Sequence, residues 1–222
     1  MNPATLSYPA PMETTTAKFP SASYDNKIYT KFSATTLDKK GVNKEEFQKE
    51  FGLLPEKKTL LLGFCLPLTE KNGAALLSEV LPGIEALGVQ IAFLAIGTEK
   101  YQRIMTDFAA ENESSVVMLE NTEANMRKFY AACDSMLFLT SSTDANQALR
   151  DALAYGIVPL AQENAFPDLL HDYNPNQEKG NSFLFSSYDP WHVFAALVRA
   201  TENYRFPYDW KNIAKEGMET VS

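Results

Sequence analysis

One loop of this sequence carries residues that could bind an anion. It is the segment "LPLTEKNG" at 66–73, in which Thr69, Lys71, Asn72 and Gly73 offer a hydroxyl, an amine, an amide and accessible backbone. Such a loop can hold a phosphate through backbone N–H groups when a helix follows it. The alternative is a plain connection in which Asn72-Gly73 supplies the turn. The residues alone leave both interpretations open.

Polar residues also follow other apolar runs of the chain. The further candidates for contact with a ligand are Gly97, Asn121, Thr143, Asp144, Asn146 and Asn164. Asparagine amides can hydrogen-bond the hydroxyls of a sugar, although asparagine is also a common loop residue. Asp144 is equally explained as an acid near a helix N-terminus. The four asparagines at 72, 121, 146 and 164 would suit an uncharged polar ligand.

No arrangement of nucleophile and base is visible in the sequence. His171 and His192 are the only histidines, and neither lies near a nucleophile-elbow pattern. Cys65 and Cys133 stand inside apolar segments, where cysteine usually packs as a small apolar residue. Without a CxxC pair or a histidine cluster, a structural zinc site is not expected. We therefore predict no catalytic residue, no metal and no cofactor.

The elements that would position these residues alternate along the chain. Apolar runs of strand length occur at 59–66, 89–96, 115–119, 134–139, 157–161 and 182–185, and helical patterns at 74–87, 100–112, 123–132 and 146–155. Runs that are apolar throughout suit strands buried on both faces, as in a parallel sheet. The alternation predicts a single doubly wound α/β domain with a mainly parallel sheet. Ligands of such sheets bind beyond the carboxyl ends of the strands.

Boundary signals define the flanking elements. Asn43 is a candidate N-cap and Gly52 a candidate stop for a short helix, while Asp189 and Pro190 predict the start of a later one. Another helix is expected near Tyr208. Residues 1–24 lack apolar periodicity and predict an extended or mobile arm, so that 25–222 form the domain.

Aromatic residues are frequent near the end of the chain. They are Tyr188, Trp191, Tyr204, Phe206, Tyr208 and Trp210. Aromatic residues at helical spacing are usually core residues, which is the prediction here. If several were exposed on one face, contact with a glucan or a protein would become the better interpretation.

Charge and composition exclude some classes of partner. The chain has 222 residues, a formal net charge of -8 and no run rich in lysine and arginine. Nucleic acid is therefore not an expected partner, since affinity for a phosphate backbone requires clustered cations. No apolar run approaches the ~20 residues of a membrane span, and the N-terminus lacks the pattern of a signal segment. We expect a cytoplasmic protein without membrane contact.

Several long segments resemble one known family. They are "YTKFSATTLDKKGVNKEEFQKEFGL" at 29–53, "LTEKNGAALLSEVLPGIEALGVQIAFLAIGTEKY" at 68–101, "NTEANMRKFYAACDSMLFLTSS" with "DALAYGIVPL", and "GNSFLFSSYDPWHVFAALVRA". From about residue 25, the chain resembles the C-terminal domain of bacterial glycogen synthases and plant starch synthases. The resemblance implies one of the two Rossmann-like domains of a GT-B glycosyltransferase. In that family this domain binds ADP-glucose or UDP-glucose, and the other domain supplies a catalytic histidine and glucan contacts.

The loop at 66–73 departs from the family pattern, which reads Ser-Arg-Leu-Thr-x-x-Lys-Gly. Pro67 stands at the arginine position and Asn72 at the lysine position, while Thr69 and Gly73 are retained. In the family these two cations neutralise the departing diphosphate. Losing both would slow transfer by roughly 10⁴-fold or more. Lys71 lies one residue before the lysine position and is a candidate substitute.

A second departure lies in the family segment Glu-Pro-x-Gly-Leu, which here reads "STDANQAL". Thr143 falls at the position of the sugar-contacting glutamate, with Asp144 beside it, and Asn146 replaces the glycine. Asn121 corresponds to an aromatic residue that the family places against the nucleotide base. The Thr-Gly-Gly loop becomes Asn164, Ala165 and Phe166. The ligand-facing positions thus differ, whereas scaffold positions such as Gly156 persist.

Three hypotheses follow from these residues. The first is a degenerate C-terminal domain that is non-catalytic alone and acts as a binding or partner module in glucan metabolism, docking on a synthase or on an alpha-glucan. The second is half of a split ADP- or UDP-glucose glucosyltransferase, completed by a protein partner with the N-terminal domain and using Lys71 and Asp144. The third is a binder of an uncharged small ligand.

Overall fold

A sheet of six parallel strands forms the centre of the molecule. In the computed structural model, which describes residues 19–221, the strands are β1 (Leu61–Phe64), β2 (Gln90–Leu94), β3 (Val116–Leu119), β4 (Ser135–Phe138), β5 (Val158–Gln162) and β6 (Phe183–Phe185). Their order is β3-β2-β1-β4-β5-β6, and every neighbouring pair is parallel. The predicted doubly wound α/β domain is confirmed.

Helices cover both faces of this sheet. They are α1 (Lys40–Glu50), α2 (Ala74–Ala86), α3 (Glu99–Glu111), α4 (Glu123–Ala132), α5 (Thr143–Ala154), α6 (Pro190–Tyr204) and α7 (Pro207–Thr220). Helix α2 contacts α3 and α6, whereas α1 contacts α4 and α5 contacts α7. Strands β1, β2 and β4 are consequently buried along their whole length, as their apolar runs predict. Within residues 19–221, none of these helices is long and apolar enough to cross a membrane.

The two cysteines pack in this core. Cys65 and Cys133 are free and buried. Burial raises the pKa of the Cys65 thiol to about 12 and raises the pKa of Cys133 well above its usual value. Since a thiolate is the reactive form of cysteine, neither side chain is suited to act as a nucleophile.

Two helices begin earlier than the sequence predicts. Helix α5 begins at Thr143 instead of 146, because the Ser142 hydroxyl accepts a hydrogen bond from the Ala145 N–H at 3.3 Å. The prediction of Asn43 as an N-cap is wrong. A 3-10 turn at 37–39 leads into α1 three residues earlier, so Asn43 lies inside the helix and its buried amide bonds the backbone of Thr30.

The other boundary signals act as predicted. Helix α1 ends at Glu50, and Gly52 follows it with a φ of 79°. The Asp189 carboxylate accepts hydrogen bonds from the N–H groups of Trp191 and His192 at 3.1 and 3.2 Å, and Pro190 is the first residue of α6. These caps fix where α6 leaves the sheet.

The predicted arm at 1–24 falls largely outside the described residues, since 1–18 are not among them. Residues 19–24 pack against the domain. Ala22 is fully buried, and its carbonyl accepts a hydrogen bond from the Phe32 N–H at 3.4 Å. The Phe19 ring lies 5.3 Å from the Tyr130 ring in an edge-on contact. These apolar contacts give the segment a fixed place that its composition does not indicate.

The aromatic residues of the C-terminal region divide into buried and exposed ones. Trp210 and Tyr204 pack edge to face with ring centres 5.0 Å apart. The prediction of core packing is wrong for four others, whose exposed fractions are 80% for Trp191, 70% for Tyr208, 59% for Phe206 and 45% for Tyr188. Tyr188 and Trp191 lie at the start of α6, and Phe206 and Tyr208 lie beyond its end, so about 22 Å of helix separates the two pairs.

Candidate functional site

The strand order defines where a ligand would enter. The chain proceeds from β1 outward to β2 and β3, then returns to place β4 on the other side of β1. The loops after β1 and β4 therefore diverge and leave a crevice beyond the carboxyl ends of these strands. The predicted site residues lie in loops or first helical turns at this edge of the sheet.

The loop after β1 is held against the loop after β2. The Leu68 N–H donates to the Ile96 carbonyl at 2.9 Å, and the Thr98 N–H donates to the Leu68 carbonyl at 3.0 Å. Gly97 has a φ of 140°, and a Cβ there would lie 2.5 Å from the Leu68 carbonyl oxygen. Only glycine permits this approach. The structure thus brings Gly97 and the 66–73 loop together.

A tight turn closes the 66–73 loop. The Thr69 carbonyl accepts hydrogen bonds from the Asn72 and Ala74 N–H groups at 3.1 and 3.0 Å. The Asn72 side-chain amide donates to the Pro67 carbonyl at 2.9 Å. One donor of the Asn72 amide is therefore engaged within the loop.

Gly73 joins this loop to the end of β4. Its φ is 79°, and a Cβ there would lie 2.4 Å from the Leu139 Cβ and 3.1 Å from the Leu139 carbonyl oxygen. Both the left-handed conformation and the lack of space require glycine. Gly73 also precedes α2 without any side-chain cap. It is a packing position of the crevice wall.

Little space remains behind the loop. A cavity of about 20 Å³ lies among apolar side chains of β1, β4 and α2, and Pro67 and Asn72 also line it. This volume corresponds to roughly one water molecule. The cavity is too small for a sugar or a phosphate ester.

Charged groups on the outer side of the loop form a small cluster. Glu70 accepts a hydrogen bond from the Tyr101 hydroxyl at 3.1 Å and lies 3.6 Å from the Lys100 amine. Hydrogen bonding to Tyr101 and the proximity of Glu70 raise the pKa of Lys100. Lys71 is exposed and, within the described part of the chain, has no ion-pair partner. Sequence reasoning did not single out Glu70, whose charge opposes anion binding beside Lys71.

The loop after β4 contributes the start of α5. Thr143 and Asp144 are exposed in its first turn. The Asn146 carboxamide oxygen accepts a hydrogen bond from the Arg150 guanidinium at 3.1 Å. Thr143 and Asp144 thus face solvent, whereas the side chain of Asn146 is engaged along its own helix.

The remaining asparagines differ from one another. The carboxamide oxygen of Asn121, after β3, is buried and has no hydrogen-bond partner among the described residues. Asn164, after β5, is exposed and adopts a φ of 64°. Asparagine tolerates this left-handed conformation, so a turn explains Asn164 without a ligand. Ligand binding at these positions stays a prediction.

The histidines lie away from any nucleophile among the described residues. His192 is exposed, and its Nδ1 atom contacts the Asp189 carboxylate that caps α6. His171 is exposed in the connection between β5 and β6, where its carbonyl accepts a hydrogen bond from the Ser182 hydroxyl at 2.8 Å. The contacts of His192 are thus those of a helix cap, and those of His171 belong to a loop.

Known proteins are similar to most of the length of this chain. No protein-family model matches it. It is 30% identical to the glycogen synthase of Fervidobacterium nodosum over 196 residues, which cover 87% of the chain and 40% of that protein. It is 29% identical to the glycogen synthase of Thermosipho melanesiensis, with 88% and 41% covered. The chain spans about two-fifths of the length of the curated relatives it matches.

Solved structures show the same fold. The catalytic domain of starch synthase IV from Arabidopsis thaliana, bound to ADP and acarbose, has a TM-score of 0.77 at 23% identity, covering 89% of this chain and 42% of that one. The C-terminal domain of the glycosyltransferase LpcC from Francisella tularensis has a TM-score of 0.59 at 13% identity, covering 80% and 90%. The Anabaena protein HepE, in complex with UDP and glucose, has a TM-score of 0.60 at 14% identity, covering 88% and 51%.

Proposed function

The chain is similar in sequence and fold to the C-terminal domain of glycogen and starch synthases, and we propose that it is a non-catalytic binding or partner module of glucan metabolism. In this proposal the domain keeps the scaffold of a nucleotide-sugar-binding domain but has lost the side chains that hold the diphosphate. It docks on a synthase or on an alpha-glucan.

The closed loop after β1 carries this proposal. Pro67 and Asn72 occupy the positions at which the family pattern has its two cations, and they bond to each other. A diphosphate leaving group needs preorganised positive charge, and removing one such group costs about 3–4 kcal/mol in the transition state. Neither a proline nor an engaged amide can supply that charge.

The surroundings of the loop support the same interpretation. Glu70 places a carboxylate at the turn, where it is shared by Tyr101 and Lys100. The space behind the loop is that of about one water molecule. The exposed positions Thr143 and Asp144 offer no cation either. A bound diphosphate would meet only Lys71 as a positively charged side chain of this loop.

The test is a calorimetric titration of the purified chain. ADP and UDP are suitable probes because the starch synthase IV structure contains bound ADP and the HepE structure contains bound UDP. ADP-glucose, UDP-glucose and a maltooligosaccharide complete the set. We expect that Lys71→Ala abolishes no micromolar binding of a nucleotide sugar, because the loop does not bind one. Such binding would overturn the proposal, because it would place a functional anion site in the 66–73 loop.

The oligosaccharide distinguishes the two forms of the module. Binding of a maltooligosaccharide alone would indicate docking on glucan. If none of the probes binds, docking on a protein remains as the form of the proposal. Affinity capture from the source cell would then search for a glucosyltransferase partner.

One observation favours a second candidate, half of a split glucosyltransferase. Lys71 and Asp144 are both exposed at the crevice edge, the former without an ion-pair partner among the described residues. A partner chain carrying the N-terminal domain would complete the cleft. The test is glucosyl transfer from ADP-glucose when such a chain is added to wild type and to Lys71→Ala. Activity that depends on Lys71 would favour the split enzyme.

A further inference from the structure

A second and larger cavity lies at the opposite edge of the sheet. It has a volume of about 430 Å³ and is bordered by the start of α1, the segment before β1 and the corner between α6 and α7. Asp134 and Gly156, which line it, precede β4 and β5. The cavity is therefore at the amino ends of the strands, away from the crevice described above.

Positive charge is concentrated in the lining of this cavity. Six basic side chains and two acidic ones line it: Lys40, Lys44, Lys57, Lys58, Arg205 and Lys211, with Asp38 and Asp134. The formal net charge of the whole chain is -8, so the local excess of cations opposes the overall charge. A concave, locally positive surface attracts small anions.

Two of these cations are structural. The Lys40 ammonium is buried and donates to the carbonyls of Tyr130, Ala131 and Tyr155 at 3.2, 3.1 and 2.9 Å. Lys44 lies 2.6 Å from the Asp134 carboxylate and donates to the Tyr204 hydroxyl at 2.8 Å. These amines hold the floor of the cavity and already have their partners.

The other four cations form the rim and can exchange their partners. Lys57 and Arg205 are exposed and Lys211 is half-buried, and they pair with the carboxylates of Glu45, Glu202 and Asp38 at 3.0, 3.2 and 2.6 Å. Exposed pairs of this kind contribute little net stability, so an incoming anion can replace them at small cost. Lys58 has no ion-pair partner among the described residues.

An apolar wall completes the cavity. Leu37, Pro207, Trp210 and Ala214 line it, and the exposed rings of Phe206 and Tyr208 flank Pro207 in the chain. Cavities of about 300–1,000 Å³ with an apolar lining and a few convergent polar groups are typical of small-molecule sites. An inorganic ion alone would leave most of this volume and the apolar wall unused.

We propose that this cavity binds a small organic phosphate, a phosphate ester attached to a ring-shaped body. The phosphate lies against the rim amines of Lys58 and Lys57 and the Arg205 guanidinium, and the ring lies against Pro207 and Leu37. The site is independent of the loop at 66–73. Failure of this proposal would therefore leave the proposed function untouched, and the reverse also holds.

The test is a titration at low ionic strength with AMP, ribose 5-phosphate, inorganic phosphate and adenosine. The first two probes distinguish a nucleotide from a sugar phosphate. We expect at least one of them to bind, and adenosine and inorganic phosphate to bind at least about tenfold more weakly, because each lacks half of the interaction. Added salt should weaken the binding. Equal affinity for inorganic phosphate, or no binding by either ester, would overturn the proposal.

Matched variants locate the binding. Lys58→Ala/Arg205→Ala removes two exposed rim cations, and we expect it to weaken ester binding by about tenfold or more while the circular dichroism spectrum is unchanged. Lys71→Ala removes an exposed lysine at the opposite edge and should leave the affinity as it is. Loss of binding in Lys71→Ala, or wild-type affinity in the rim variant, would overturn the assignment to this cavity.

Discussion

The side-chain amide of Asn72 donates a hydrogen bond to the carbonyl of Pro67 at 2.9 Å, across the loop that follows the first strand. These are the two positions at which the resembled family has an arginine and a lysine. In the proposed function, this neutral contact stands in place of two charges that would hold a diphosphate. The backbone course of the loop nevertheless depends on two glycines, Gly73 within it and Gly97 in the neighbouring loop after β2.

The first prediction compares two glycines with the same backbone conformation. Gly73 and Gly52 both have a φ of 79°, but a Cβ at Gly73 would lie 2.4 Å from the Leu139 Cβ, whereas nothing lies within 4 Å at Gly52. Gly52→Ala should lower the free energy of unfolding by about 1–2 kcal/mol, the cost of a left-handed alanine. Gly73→Ala should lower it by roughly a further 1–3 kcal/mol because of the overlap.

Urea denaturation of both variants measures this difference. Equal losses in the two variants would mean that the loop moves away from β4 without cost, and that Gly73 is not a packing position of the crevice wall.

The second prediction concerns a buried ion pair behind the sheet. The Asp134 carboxylate lies 2.6 Å from the Lys44 amine and accepts a hydrogen bond from the Leu61 N–H at 2.8 Å. Asp134→Ala leaves a buried ammonium without its counter-charge, which typically costs 3–5 kcal/mol. Thermal and urea unfolding should show a loss of about this size.

An exposed pair on the same helix provides the control. Glu45 lies 2.9 Å from Lys49 on α1 and 3.0 Å from Lys57. Glu45→Ala should change the unfolding midpoint only within the scatter of surface substitutions, because water screens both pairs. If the two variants were equally stable, the Lys44 amine would have found another partner, and its part in holding the cavity floor would be disproved.

Much of the fold could be predicted because the strands are buried on both faces. The run "TLLLGFCL" at 59–66 contains β1 at 61–64, and "VQIAFLAI" at 89–96 contains β2 at 90–94. Such runs differ from amphipathic helices in length and pattern. The start of α5 was missed although Ser142 is a strong capping residue, since the pattern of apolar residues begins only later.

The details of the two sites depend on contacts between distant segments. The lysines at 40 and 44 are one helical turn apart, which places them on one face of α1, but several of their partners lie some 90 to 160 positions away. The closing bond between Asn72 and Pro67 depends on the course of the turn. The cavity at the amino ends of the strands combines five separate parts of the chain. None of these contacts has a local sequence signal.

The third prediction concerns stability in acid. Burial opposes ionisation of Asp25, but hydrogen bonds from the Tyr155 hydroxyl, the Lys27 N–H and the Arg127 guanidinium outweigh it and lower the pKa of this carboxyl. A lowered pKa in the folded state contributes stability at neutral pH, and this contribution is lost as the pH falls through the folded-state value. The difference in unfolding free energy between wild type and Asp25→Asn should thus shrink below about pH 4.

Urea denaturation at several pH values between 3 and 7 measures this difference, and the groups common to both proteins cancel in it. Tyr155→Phe is the matched variant, since it removes one donor at 2.5 Å and leaves the carboxylate. The pKa of Asp25 should then rise toward its unfolded value, so that less stability is lost in acid than in wild type. A difference independent of pH would show that the contacts of Asp25 do not favour its charged form.

The fourth prediction restores the cations of the loop. Pro67→Arg/Asn72→Lys breaks the closing bond and places two positive charges beside Thr69 and Gly73, which already match the family pattern. Hydrogen bonds to charged groups contribute about 1.5–3 kcal/mol each, so we expect ADP to bind at least about a hundredfold more tightly than to wild type. Calorimetry should be carried out with Lys58→Ala/Arg205→Ala in both proteins, so that the amino-end cavity does not contribute.

Pro67→Ala/Asn72→Ala is the control, because it opens the loop without adding charge. If that variant gained ADP affinity as well, closure of the loop alone would exclude the nucleotide, and the missing charges would matter little. If Pro67→Arg/Asn72→Lys gained no ADP affinity, Thr143 and Asn146 in the first turn of α5 would limit binding more than this loop does. The differences from the family that prevent binding would then extend beyond this loop. A gain only in the charged variant would assign the loss of binding to the two cations themselves.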